Sequence, residues 1–157
     1  LRQAARDARG DRGAEHRLWE AQGLYLCQAG QGAAGLKMLK KLVDRTKNEY
    51  HHHAWGNGAV HMEAWGAGAL AANDLEQAEE AFHEALAHDP GSVRGALGMQ
   101  VVCERQGRSE EAIRYAALAR RCWPKADPGH LEAERHAARA GTAARPDPSK
   151  KPVLSVP

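Results

Sequence analysis

At 157 residues the chain can bury one continuous core, and no apolar run approaches the roughly 20 residues that span a bilayer. Its formal net charge is +2, from 22 basic and 20 acidic side chains, which gives no general attraction to nucleic acid or anionic lipid. The three cysteines, Cys27, Cys103 and Cys122, form no CxxC pair and argue against a disulfide framework; they read as small core residues.

Ile113 is the only isoleucine, while Ala, Leu, Arg, Glu and Gln abound. Such side chains lose little entropy in a helix, so the expected fold is all-α. In chain order, residues 1–13 read as a short leading segment. Over 14–49, Trp19, Gly23, Gly30, Gly35, Leu39 and Leu42 outline a helix, a glycine turn and a second helix. Residues 50–58, with His51, His52 and His53, interrupt the pattern.

Between 59 and 92, Met62, Trp65, Gly66 and Ala69 share one helix face, and Asn73-Asp74 makes a turn. Leu75, Ala78, Phe82, Ala85 and Leu86 then form the apolar stripe of a second helix. Asp74, with Gln77 three places on, makes a capping-box arrangement. Asp89-Pro90-Gly91-Ser92 stops that helix and starts another. Over 93–126 the plan repeats, with Ala96, Met99 and Cys103 on the first helix and Gly107 at the turn. Ser109 is the expected N-cap of the second, Glu110 and Glu111 lie at its positive dipole end, and Pro124 closes the unit. Asp127-Pro128 opens a further helix to about residue 140, expected to cover the last repeat and to expose a charged back carrying Glu132, Glu134, Arg135 and Arg139. Residues 141–157 hold four prolines and two lysines and read as an extended tail. Beginning at Leu1, the chain is read as a processed product or a piece of a longer protein, so no compartment is assigned.

The four positions Ala78, Phe82, Ala85 and Pro90 recur 34 places later as Ala112, Ala116, Ala119 and Pro124. A period of this size indicates stacked supersecondary units. An earlier copy needs an offset of 43, which brings Trp19, Gly23, Gly30, Gly35, Leu39 and Leu42 onto Met62, Gly66, Asn73, Ala78, Phe82 and Ala85.

These units resemble the tetratricopeptide repeat. Met62, Trp65-Gly66, Ala69, Ala78, Phe82, Ala85 and Pro90 hold the family's characteristic places. The later unit departs from the pattern with Gln100 at the usual glycine and Ala116 at the usual aromatic; the early unit has Gln22 for Leu and Lys47 for Pro. The resemblance implies a right-handed α-solenoid of stacked antiparallel helix pairs over 14–140, with about three repeats and a C-terminal capping helix. It also implies a non-enzymatic scaffold binding a peptide or partner protein in a concave groove. That groove would be lined from the first helices by Arg17, Glu20, Leu24, Gln28, Glu63, Ala67, Arg94, Leu97, Val101, Glu104 and Arg105. A clamp for a C-terminal carboxylate, as in some family members, is not expected: the corresponding positions are Glu20, Leu24, Ala64, Arg94 and Gly98, and only Arg94 suits it.

Other motifs weigh less. Gly30-Gln31-Gly32-Ala33-Ala34-Gly35 spells GxGxxG, but no Val/Ile-rich strands accompany it, so a turn between helices is the better reading. His83 and His88 are five apart, about 140° around a helix, and cannot share a metal as the four-residue spacing of HExxH does. His51, His53 and His61 supply imidazoles of a type that binds Cu or Zn, which makes a metal- or haem-binding domain the alternative function. Lys37, Lys40, Lys41, Arg45 and Lys47 form a basic helix face, and Arg114, Arg120, Arg121 and Lys125 a second. Without interleaved aromatics these read as solvated faces. No nucleophile triad, P-loop or paired-carboxylate motif stands out, and no enzyme, cofactor, nucleic-acid or membrane function is expected. The tail segment 152–157 is a candidate for self-association, pinned in its own groove or a neighbour's.

Overall fold

A computed structural model describes residues 12–47 and 55–140. Among them are seven helices and no strand: α1 (Arg12–Gln28), α2 (Gly32–Thr46), α3 (Trp55–Ala71), α4 (Leu75–His88), α5 (Val93–Arg105), α6 (Ser109–Cys122) and α7 (Pro128–Ala140). The expected leading segment 1–13 is described only at its end, where Gly13 is already helical. The tail 141–157 lies outside the described residues.

The helices pair as α1 with α2, α3 with α4 and α5 with α6, and each pair packs on the next. The turns within the three pairs are built alike. Gly30, Asn73 and Gly107 have φ of 81°, 57° and 76°, the left-handed conformation that ends a helix at glycine or asparagine. After each, the next amide reaches back to a carbonyl five residues earlier: Gln31 to Leu26 at 2.8 Å, Asp74 to Ala69 at 2.9 Å and Arg108 to Cys103 at 2.9 Å. Those turn positions are separated by 43 and 34 residues, the offsets of the sequence repeat. The glycine-rich segment at 30–35 is thus the α1–α2 turn and the first turn of α2.

Caps fix where the second helices begin. The Asp74 carboxylate accepts from the Gln77 amide at 3.0 Å and from the Gln77 side chain at 2.7 Å. The capping box is therefore closed onto the carboxylate, since Asp74 N–H is already given to Ala69. Ser92 caps α5 by accepting from Gly95 N–H at 2.7 Å. The cap of α6 differs from expectation: Arg108 is the N-cap residue and Ser109 is already the first helical residue. The positive φ at Gly107 ends the turn one residue sooner than the serine pattern suggested.

In the core, large side chains are set into glycine notches. Leu39 of α2 sits where a Cβ on Gly23 or Gly68 would approach it to 2.6 or 2.4 Å, and Phe82 of α4 fills the same role between Gly66 and Gly98. Glycine on two first helices thus lets each pair close around one large residue of a second helix. The third unit has Ala116 instead of a large side chain at that place, so its Gln100 needs no notch and is itself buried, giving its Nε2 to Glu104 at 2.7 Å. Both departures from the repeat pattern are one compensated change.

First helices α1, α3 and α5 pack on one another, whereas neighbouring second helices meet chiefly through long side chains, as in Lys40–Glu80 (3.5 Å) and Glu79–Arg108 (2.6 Å). Closer contact on the first-helix side curves the stack and makes that side the inner face. Helix α7 covers the last repeat as expected, packing mainly on α5. It also reaches α3 and so lies across the inner face, and Glu134 and Arg139, expected on its charged back, pair with Arg94 and Glu104 of α5 instead.

Candidate functional site

The inner face holds a cavity of about 300 Å³ walled by α1, α3, α5 and α7. Its floor is apolar: Leu24 from α1; Val60, Ala64 and Ala67 from α3; Leu97 from α5; and Ala137 and Ala138 from α7, with Phe82 and Leu70 beneath. Helical spacing explains the α3 contribution, because Val60, Glu63, Ala64 and Ala67 fall at intervals of three and four on the face opposite Trp65. Val60 and Ala67 are exposed, so the cavity opens to solvent.

Polar groups stand around it. Arg94 binds Glu134 of α7 through two parallel hydrogen bonds of 3.0 Å. Further along, Arg139 of α7 gives bonds of 2.7 and 3.2 Å to Glu104. Both sets advance in the same chain direction, so α7 runs in the same sense as α5. The Arg94 hydrogen bonds hold the Glu134 carboxyl below its ordinary value. Burial pushes Glu104 up, but hydrogen bonds from Arg139 and Gln100 outweigh it and leave that carboxyl lowered too. These latching pairs are substantially solvated, and each contributes about 0–1 kcal/mol. Leu131 and Ala138 add apolar contact against Ala96, Leu97 and Ala119.

Glu63 behaves differently. Burial holds its carboxyl above the ordinary value, and the Ser92 hydroxyl (2.6 Å) and the nearby Arg94 charge offset that only partly. Glu20 meets His61 Nδ1 at 2.6 Å across the α1–α3 contact.

Of the groove residues expected from sequence, the cavity brings together Glu20, Leu24, Glu63, Ala67, Arg94 and Leu97. Arg17, Gln28, Val101, Glu104 and Arg105 do not line it. Leu97 and Val101, expected on an open surface, are buried at 1% and 2% exposure, since α7 covers the face they occupy. Arg105 turns toward the end of α3, where its Nη1 donates to the Leu70 carbonyl at 3.1 Å. The α7 contributors Glu134, Ala137 and Ala138 were not foreseen. Their only sequence signal is the i, i+3, i+7 recurrence of Leu131, Glu134 and Ala138, which a simple cap shares.

His51 and His53 of the metal proposal lie outside the described residues, as does the side chain of Trp55. His61 is committed to Glu20, and among the described residues no group of three or more His, Cys, Asp or Glu is arranged to hold a metal. His83 and His88 are exposed on α4. The basic face of α2 is less simple than its sequence suggests: Lys40 lies 4.4 Å from the Trp65 ring centroid and Lys41 4.9 Å from that of Trp19. The aromatics arrive from the neighbouring first helices, which a linear pattern cannot show. No helix among the described residues is long and apolar enough to cross a membrane.

Helical hairpins stacked with a common turn define a helical-repeat protein. A family model for the tetratricopeptide repeat matches residues 69–122, from the end of α3 through α6. That stretch of the chain is thus similar to tetratricopeptide repeats, which generally mediate protein–protein interaction. No curated protein matches the chain.

Proposed function

We propose that this protein is a non-enzymatic interaction scaffold and that its inner face, open between α1 and α7, receives a peptide or a segment of a partner protein. The observation that carries the reading is the solvent-open apolar cavity shared by three successive first helices. A curved stack presents one side chain per turn from each helix to a bound chain, so several weak contacts converge on one ligand. Exposed Val60 and Ala67 beside half-buried Leu24 provide apolar area to bury, while the carboxylates at the rim orient what binds.

Ala67→Trp tests this by filling the cavity from an exposed position that folding does not use. Proteins retained from a cell extract by the unaltered chain should be lost with Ala67→Trp and kept with Ile113→Gln on the outer helix α6. Identical retention by all three would sink the inner-face reading.

A further inference from the structure

The cavity has a charge preference as well as an apolar floor. Among its lining residues three carboxylates, Glu20, Glu63 and Glu134, face a single guanidinium, Arg94. That guanidinium is already bidentate to Glu134, which leaves Glu20 and Glu63 to set the field on the open side. Glu63 accepts from the Ser92 hydroxyl and Glu20 from an imidazole nitrogen of His61. A half-buried carboxylate whose side-chain hydrogen-bond donor is a hydroxyl gains from a cation brought beside it, because the partner replaces water that burial has removed. The volume, at the lower end for ligand pockets, suits an apolar side chain more than a whole cofactor.

We propose that the inner face selects a cationic, apolar segment of a partner polypeptide: a bulky aliphatic or aromatic side chain enters the cavity while a neighbouring lysine or arginine of the same segment pairs with Glu63 and Glu20. This rests on the inner-face reading and adds to it the chemistry of the partner. An anionic segment is disfavoured by the same carboxylates, since like charges across an interface suppress binding. The burial that lifts the Glu63 carboxyl supports the assignment. A cation seated there would lower it again, so binding should release a proton over the pH range where free Glu63 is partly protonated.

The test uses the full chain and three acetylated, amidated nonapeptides with a central leucine, identical except for lysine, glutamine or glutamate on both sides of it. Fluorescence anisotropy is read with the unaltered chain, Glu63→Gln and Ala67→Trp. Glu63→Gln keeps the acceptor for Ser92 and therefore the fold, which circular dichroism verifies. The lysine peptide should bind at least about tenfold more tightly than the glutamate peptide. That ratio should narrow several-fold in Glu63→Gln and again as salt rises to about 0.5 M. All binding should vanish in Ala67→Trp. If Ala67→Trp abolishes binding but the glutamate peptide binds as well as the lysine one, the cationic preference is overturned and the groove stands. If binding survives Ala67→Trp, the groove reading itself fails. Absence of lysine-peptide binding up to about millimolar concentration, where typical weak recognition is still seen, also overturns the proposal.

Discussion

Gly98→Ala should reveal how tightly the repeat closes around Phe82. A Cβ at position 98 would stand 2.3, 2.4 and 2.5 Å from three ring carbons of Phe82, about an ångström or more inside the usual contact of roughly 3.5–4.0 Å. The same ring edge is also against Gly66, where a Cβ would lie 2.6 Å off, so the ring tip is held close to two helices at once. Replacing a helical glycine by alanine normally stabilises by about 1 kcal/mol, while overpacking a filled core costs about 1–3 kcal/mol. With three ring atoms overlapped at an edge that already touches Gly66, overpacking should win and Gly98→Ala should lose about 1–2 kcal/mol. Phe82→Leu removes the clashing ring edge, so in that background Gly98→Ala should become neutral or stabilising. Urea unfolding of the four chains measures the coupling, expected at about 1–3 kcal/mol. Additive effects within about 0.5 kcal/mol would refute the notch argument.

Three other predictions follow from the same geometry. Glu134→Lys breaks the Arg94 latch but should lower global stability by less than about 1 kcal/mol, since the pair is solvated; hydrogen exchange should nevertheless speed up in α7, and a large loss of global stability would contradict the latch account. Glu63 carries a raised carboxyl value, so its charge subtracts stability as pH rises from the ordinary carboxylate range through that value. Urea midpoints of Glu63→Gln should therefore match the unaltered chain in acid and equal or exceed it at neutrality, the opposite order disproving the buried-charge assignment. Burial pushes the Cys27 thiol up to about 11 and raises Cys103 as well, so at about pH 8 an alkylating reagent should label half-buried Cys122 first and the other two only on unfolding; early labelling of Cys27 would contradict its burial.

The turns and the core were largely legible in the sequence, because each rests on a local rule. Gly30, Asn73 and Gly107 mark left-handed turns, and Asp74 and Ser92 mark caps through side chains that act within three residues. The repeat pattern put Gly66 and Phe82 at characteristic places without showing that they touch, and the loss of both features at Ala116 and Gln100 was visible as a departure, though not as a compensation. The inner face was legible only in part. Leu97 and Val101 were expected there from the family's geometry, yet both are buried and only Leu97 lines the cavity, because α7 lies over that part of α5. Nothing local distinguishes a helix that caps a stack from one that folds back across it. The decision lies in long-range pairs, Arg94 with Glu134 and Glu104 with Arg139, each separated by 35 or 40 residues. The His61–Glu20 contact escaped for the same reason: it joins two helices across 41 residues of chain.

The most direct test of the inner-face claim is chemical-shift mapping of the isotope-labelled chain titrated with the lysine nonapeptide. The account predicts saturable changes centred on Leu24, Val60, Glu63, Ala67 and Ala138, with the outer positions Lys37, Glu80 and Ile113 undisturbed. Changes concentrated on α2, α4 and α6 would contradict it.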